Sequence, residues 1–264
     1  MGDEVTIVGW GSATVVAAHH PVNQDTVLAG PAVFAVADGM GGHVAGARAS
    51  ELAISALAAI GPPPVSPADV AQAIERASLD IVATGSAVPD LAGMGTTLAG
   101  LALVREGPRD LWLVFNVGDS RVYRLHEGTL RRVTVDHSLV QELVDSGDLT
   151  RDQAAVDPRR NVLTRALGSN PPAKVDFHYL VPVEGERFVI CSDGVTTVVT
   201  DAEIARLATI VARPDEAARA LVAVAAGSAP RDDISAVLVD TVRAQPSTVS
   251  HDTVVVTRPV TVGE

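Results

Sequence analysis

FAVADGMGGHVAGARAS, residues 34–50, changes its period partway along. Its first four residues continue an apolar run that begins at Ala32, and a short uninterrupted run of this kind bounded by glycine and proline predicts a strand. The run stops at Asp38-Gly39. From Val44 onward Ala47, Leu52, Ile54, Leu57 and Ala58 recur at helical spacing in an Ala-rich, charge-poor stretch that reaches Ile60. The spacing predicts a helix over 44–60 that is covered on more than one side. Gly61 and the three prolines after it end that helix, and a second one is expected from Ser66 to about Gly85, with Pro67 in its first turn and Asp69 three residues after the cap.

Outward from this strand-to-helix unit, alternating apolar residues predict strands over 5–10 and 13–18 upstream. Downstream, 96–104, 111–117, 121–125 and 130–133 read as a meander. Helical signals resume over 138–145 and 150–156, where Thr150 and Gln153 form a capping box. Strands follow over 175–181 and 187–191, then helices opened by Thr200 with Glu203 and by Pro214, then a last strand over 234–239. The order is strands, two helices, strands, helices, strand, without the regular alternation that a parallel doubly wound sheet requires. The expected class is α+β, with antiparallel sheets packed face to face and helices outside. One catalytic domain is expected over 1–240. Residues 241–264 turn to Thr, Val, Ser and Pro and read as a flexible tail.

The chain of 264 residues is 47% hydrophobic and 20% charged, enough for one sizeable core. Lys and Arg number 20 against 32 Asp and Glu, a net charge of -12 that repels nucleic acid and anionic lipid and suits divalent cations. The uncharged stretches 5–24 and 52–68 are interrupted by histidines or prolines, so neither reads as a signal or a membrane span. The single cysteine, Cys191, lies in an apolar strand pattern, where it is expected to be inert, and it excludes an internal disulfide. A cytoplasmic protein is the expectation. The sequence carries no signal of oligomeric state.

Chemistry enters through a recurrence. Phe34 to Ala37 runs into Asp38, Phe188 to Cys191 runs through Ser192 into Asp193, and Phe115 to Val117 runs through Gly118 into Asp119. Asp232-Asp233 stands immediately before the strand at 234–239. Taken singly, each Asp-Gly is a common turn. Four acidic strand ends meeting at one rim would instead make an all-oxygen cluster for hard cations such as Mg²⁺ or Mn²⁺.

These residues belong to a longer set: Asn23-Gln24-Asp25, the 34–50 stretch, GMGTTL from Gly93, NVGDSRVYRL from Asn116, DHSLVQELVDSGDLT from Asp136, NVLTRALG from Asn161, CSDGVT from Cys191 and RDDIS from Arg231. In this order, over about residues 5–240, they resemble the bacterial metal-dependent serine/threonine protein phosphatases, the PPM or type 2C family. The resemblance implies an αββα sandwich, two catalytic Mn²⁺ or Mg²⁺ ions and hydrolysis of phosphoserine and phosphothreonine by direct attack of a water held between them. It implies that Asp38 bridges the two ions, that the Gly39 carbonyl binds one of them, and that Asp193 and Asp232 complete its ligands. It places Asp119 with Asp193 at a third ion, makes His43 a candidate general acid, and leaves Asp25 and Asp233 behind the ligands. Partners would be phosphorylated proteins, either substrates of serine/threonine kinases or a kinase itself. The segment 138–162 would form a flap beside the site.

Two positions depart from the family. His20 stands where an arginine usually clamps the substrate phosphate, and Gln24 replaces a glutamate, so His20 is the expected substrate-binding residue and Gln24 an outer-shell one that supplies no charge. These departures favour one alternative, a phosphatase-like binding or scaffold module with weak turnover. The three clustered acids Asp38, Asp193 and Asp232 count against it. A nucleotide hydrolase of another fold would need a phosphate-cradling GxxxxGK[ST] loop, which the sequence lacks.

Overall fold

The computed structural model describes residues 5–228 and 231–243. Among these residues eleven strands form two sheets whose paired strands are all antiparallel. The first sheet has the order β1 (Val5–Val15), β11 (Ile234–Arg243), β10 (Arg187–Cys191), β7 (Arg121–His126), β8 (Thr129–Arg132). The second has β2 (Asp25–Ala29), β3 (Val33–Met40), β5 (Leu98–Glu106), β6 (Arg109–Val117), β9 (Asp176–Leu180), with the short β4 (Gly95–Thr96) paired to the end of β3. The expected αββα sandwich is the architecture found.

Strand alternation divides the apolar residues into three layers. Phe34, Val36, Trp112 and Val114 from the second sheet meet Val122, Phe188, Ile190, Val237 and Val239 from the first. The opposite faces of the strands bury against helices. Ala35, Leu113 and Phe115 pack under α1 (His43–Ala58) and α2 (Pro67–Ala87), and Val189, Cys191 and Leu238 under α6 (Asp201–Ile210) and α7 (Pro214–Gly227). Along the chain, α3 (Leu139–Asp145), α4 (Arg151–Val156) and the one-turn α5 (Asp193–Thr196) fall between these two pairs of helices. Ser66 caps α2 and Thr150 caps α4, each in a reciprocal capping box. Far from the strand ends that carry the acids, Glu186 bolts the sheets together, accepting from Trp112 Nε1 at 2.8 Å and from Arg124 Nε at 2.6 Å.

Three elements differ from expectation. The strands expected over 5–10 and 13–18 are a single strand, β1, of 11 residues. Its glycines mark an approach rather than a turn: a Cβ on Gly11 would lie 2.1 Å from the Cα of Asp215, at the start of α7. Residues 25–29, left between strands in the sequence reading, form the edge strand β2. β11 continues through Arg243, so residues 241–243 pair with β1 instead of opening a tail. The remainder of that tail, 244–264, lies outside the described residues.

Candidate metal centre

The polar site caps the middle layer. Along β3 the residue after Phe34 and Val36 on the inter-sheet face is Asp38, and along β10 the row Phe188, Ile190 continues into Ser192. Val239 and Val237 lead back along β11 to Ser235 and then Asp233. Asp25 sits directly across the β2–β3 pair from Asp38. The rows that make the core apolar therefore become acidic where they reach the rim.

Asp38 is anchored through its backbone. Its N–H donates to Thr97 Oγ1 at 3.1 Å, and its carbonyl accepts from Thr97 N at 2.9 Å and from Thr96 Oγ1 at 2.9 Å. Thr97 Oγ1 is also 2.8 Å from Ser120 Oγ, which ties the Asp38 loop to the Asp119 loop. Ser192 Oγ donates to Asp25 Oδ2 at 2.8 Å and accepts from Ser235 N at 3.0 Å. Asp193 opens α5, and the Asp232 loop lies against it: a Cβ on Gly194 would lie 2.0 Å from the carbonyl oxygen of Asp233. Only glycine permits that approach.

The electrostatics are those of crowded anions. Burial, followed by the charges of Asp25, Asp193, Asp232 and Asp119, holds the Asp38 carboxyl well above the usual carboxylate range. Burial is likewise the main cause that pushes Asp25 and Asp119 up to about 7 and Asp193 up to about 6, and it raises Asp232 as well. A hydrogen bond with Asp38 partly offsets the rise at Asp193. Asp25 Oδ1 and Asp193 Oδ1 are buried without a hydrogen-bond partner. Orphaned carboxylate oxygens among mutually repelling acids fit a divalent cation, and an all-oxygen donor set fits Mg²⁺ or Mn²⁺ better than zinc.

His20 and Asp233 occupy a neighbouring position. Asp233 is fully buried, and its Oδ1 accepts from Ala17 N at 2.7 Å and faces His20 Nδ1 at 3.1 Å, while its Oδ2 accepts from Gln24 N at 2.7 Å. His20, Asp232 and Asp233 bring potential ligand atoms within 4.8 Å of one another. Both Asp233 oxygens are nevertheless committed, so Asp233 works as a clip that fastens the β1–β2 connection to the start of β11. Gln24 is buried and contributes through its backbone, its carbonyl accepting from Gly39 N at 3.1 Å and from Ser50 Oγ at 2.6 Å. His43 begins α1, and its side chain lies outside the described residues.

Thr96, Thr97, Ser120 and Ser192 have no role in the sequence reading, although all four fall inside its motifs. Thr97→Val keeps the shape but leaves the Asp38 N–H without its acceptor. It should cost about 1–3 kcal/mol, read as a lower melting temperature in chelator so that bound metal does not mask the loss.

A two-sheet sandwich whose strand ends gather buried, mutually repelling carboxylates offers hard oxygen donors to divalent cations. The chain belongs to the protein phosphatase 2C family, whose model matches residues 18–238. It is 37% identical over 230 residues to the serine/threonine protein phosphatase PstP of Mycobacterium tuberculosis, an alignment covering 83% of this chain and 42% of that protein. It is 34% identical over 216 residues to the serine/threonine phosphatase stp of Listeria innocua, covering 79% of this chain and 84% of that one. The structure of the PstP catalytic domain in complex with two manganese ions superposes with a TM-score of 0.79 at 31% identity, covering 90% of this chain and 100% of that domain. This chain thus spans less than half the length of the mycobacterial relative, and what it matches there is a catalytic domain.

Proposed function

We propose that this chain is a metal-dependent protein phosphatase that hydrolyses phosphoserine and phosphothreonine with Mn²⁺ or Mg²⁺. The observation that carries the reading is the group Asp25, Asp38, Asp119, Asp193 and Asp232, held together against its own repulsion. Asp38, the Gly39 carbonyl, Asp193 and Asp232 would hold the two ions, with Asp119 and Asp193 available to a third. Bound divalent cations supply Lewis-acid stabilisation of the phosphoryl oxygens and a water of lowered pKa. The protein supplies placement: Thr96 and Thr97 fix Asp38, Ser192 holds Asp25, and the Asp233 clip holds the loop bearing His20 at the same rim. His43, at the start of α1, is the candidate proton donor to the departing serine or threonine oxygen, a role worth about 10²–10⁴-fold. His20 is the candidate contact to the substrate phosphate. The substrates would be phosphorylated proteins, among them targets of serine/threonine kinases or a kinase itself, in the cytoplasm. A binding module without turnover would have no use for so costly a set of buried acids.

Hydrolysis of p-nitrophenyl phosphate and of a phosphothreonine peptide should require added Mn²⁺ or Mg²⁺ and stop on chelation. Full turnover in excess EDTA would overturn the metal mechanism.

A further inference from the structure

His137, five per cent exposed, takes no part in the chemistry above, yet its imidazole lies between the Asp119 turn and the base of the 138–162 segment. Its Nδ1 is 3.1 Å from the backbone nitrogen of Gly118, the residue before Asp119. An amide N–H only donates, so Nδ1 is the unprotonated nitrogen and the ring proton sits on Nε2. That proton points at Asp176 Oδ2, 3.1 Å away on β9; Arg165 Nη1 lies 3.2 Å from the same Nε2 but only donates, so with Nε2 protonated it turns its own proton to Asp176 Oδ1 at 3.1 Å. The backbone repeats the link: His137 N donates to the Gly118 carbonyl at 2.9 Å, and Thr164 N donates to the His137 carbonyl at 2.9 Å. Burial lowers the imidazole pKa, with the Asp176 hydrogen bond opposing it, which agrees with a neutral ring. Beside it, Asp136 receives the Arg121 guanidinium in a two-pronged contact at 2.7 and 3.0 Å, so Asp136 is spoken for and does not compete for the ring.

We propose that His137 is a positioning residue: Asp176 fixes its Nε2–H tautomer so that Nδ1 accepts the Gly118 amide and aims Asp119 at Asp193. The inference rests on the metal-dependent reading above, because Asp119 matters only if its carboxylate meets a cation. It gives the DHS motif a function that composition and spacing do not suggest, and it makes the Asp119 arm of the site depend on Asp176 in β9 and on Arg165. Residues that orient a ligand from behind typically change metal affinity by about 10–100-fold when removed.

Three measurements decide it. In the metal-free wild type, ¹⁵N NMR of the histidine ring should show His137 with Nδ1 unprotonated and Nε2 protonated; an Nδ1–H tautomer overturns the proposal even if no variant folds. His137→Asn puts a carbonyl oxygen near the Nδ1 position, whereas His137→Gln reaches the Nε2 position, where its NH2 donates to Asp176, and offers the Gly118 amide no acceptor. The asparagine variant should keep slow exchange of the Gly118 amide and the wild-type Mn²⁺ titration by calorimetry. The glutamine variant should lose the protection and bind its weakest Mn²⁺ about 10-fold or more less tightly. Equal behaviour of the two variants, or unchanged Mn²⁺ affinity in His137→Gln, refutes the role. If the variants separate in exchange and affinity while the wild type hydrolyses no phosphoester, the positioning stands and the phosphatase reading falls.

Discussion

Asp38→Asn is expected to lose at least about 10³-fold in turnover and, with metal removed, to melt at a higher temperature than the wild type. The loss follows from removing a carboxylate proposed to hold the ions, since Lewis-acid stabilisation is worth several kcal/mol and each 1.36 kcal/mol is tenfold in rate. The gain follows from linkage. Burial and the surrounding acids raise Asp38 above the 3.8 of an unperturbed aspartate, so the folded state binds protons that the unfolded state has released. Stability from such a group is complete below the unfolded pKa and is lost as the pH climbs toward the folded one. Asp25 and Asp119, raised to about 7, and Asp193, raised to about 6, act in the same direction. The metal-free wild type should therefore lose stability between pH 4 and about 7, and Asp38→Asn should flatten that slope because an amide has no charge to bury. The asparagine amide can still donate to Asp193. Scanning calorimetry of both proteins in chelator across this range is the check, and a less stable variant at pH 7 would refute the account. Sites that hold like charges together ordinarily carry this trade between activity and stability.

Why the fold was legible follows from the same rows of residues. FAVA before Asp38 and FVIC before Ser192-Asp193 announce buried strands that end in acids, and the period change after Val44 announces a helix packed on them. What stayed hidden depends on contacts between residues distant in the chain. Gly11 reads as a break until α7, more than 200 residues later, is seen resting on it. Thr97 reads as one more β-branched residue until Asp38 donates to it across 59 positions. His20 lies beside Asp233, 213 residues away, a pairing that no local pattern encodes. β2 was missed because five residues with mostly half-buried side chains carry little periodicity.

Gly194→Ala should disable the site while leaving most of the sandwich folded. The added Cβ would lie 2.0 Å from the Asp233 carbonyl oxygen and 3.4 Å from Ile234 Cα, both backbone atoms that no rotamer change can remove. Relief requires the α5 turn and the Asp232-Asp233 loop to part. Those segments carry Asp193 and Asp232, two of the proposed ligands, and the Asp233 carboxylate that clips the β1–β2 connection through Ala17 N and Gln24 N. A parting of about 1 Å is enough to cost catalysis about 10²-fold through misplaced groups, and Mn²⁺ affinity should drop with it. Of the apolar layers only the edge at Val195 and Ile234 adjoins this contact, so circular dichroism should stay near wild type with a lower melting temperature. Gly227→Ala is the matched control, since nothing lies within 4 Å of its added Cβ and it occupies the last turn of α7. It should be neutral or stabilise slightly by narrowing the unfolded ensemble. Wild-type Mn²⁺ binding and turnover in Gly194→Ala would mean that the Asp193 and Asp232 loops are not held at the spacing described.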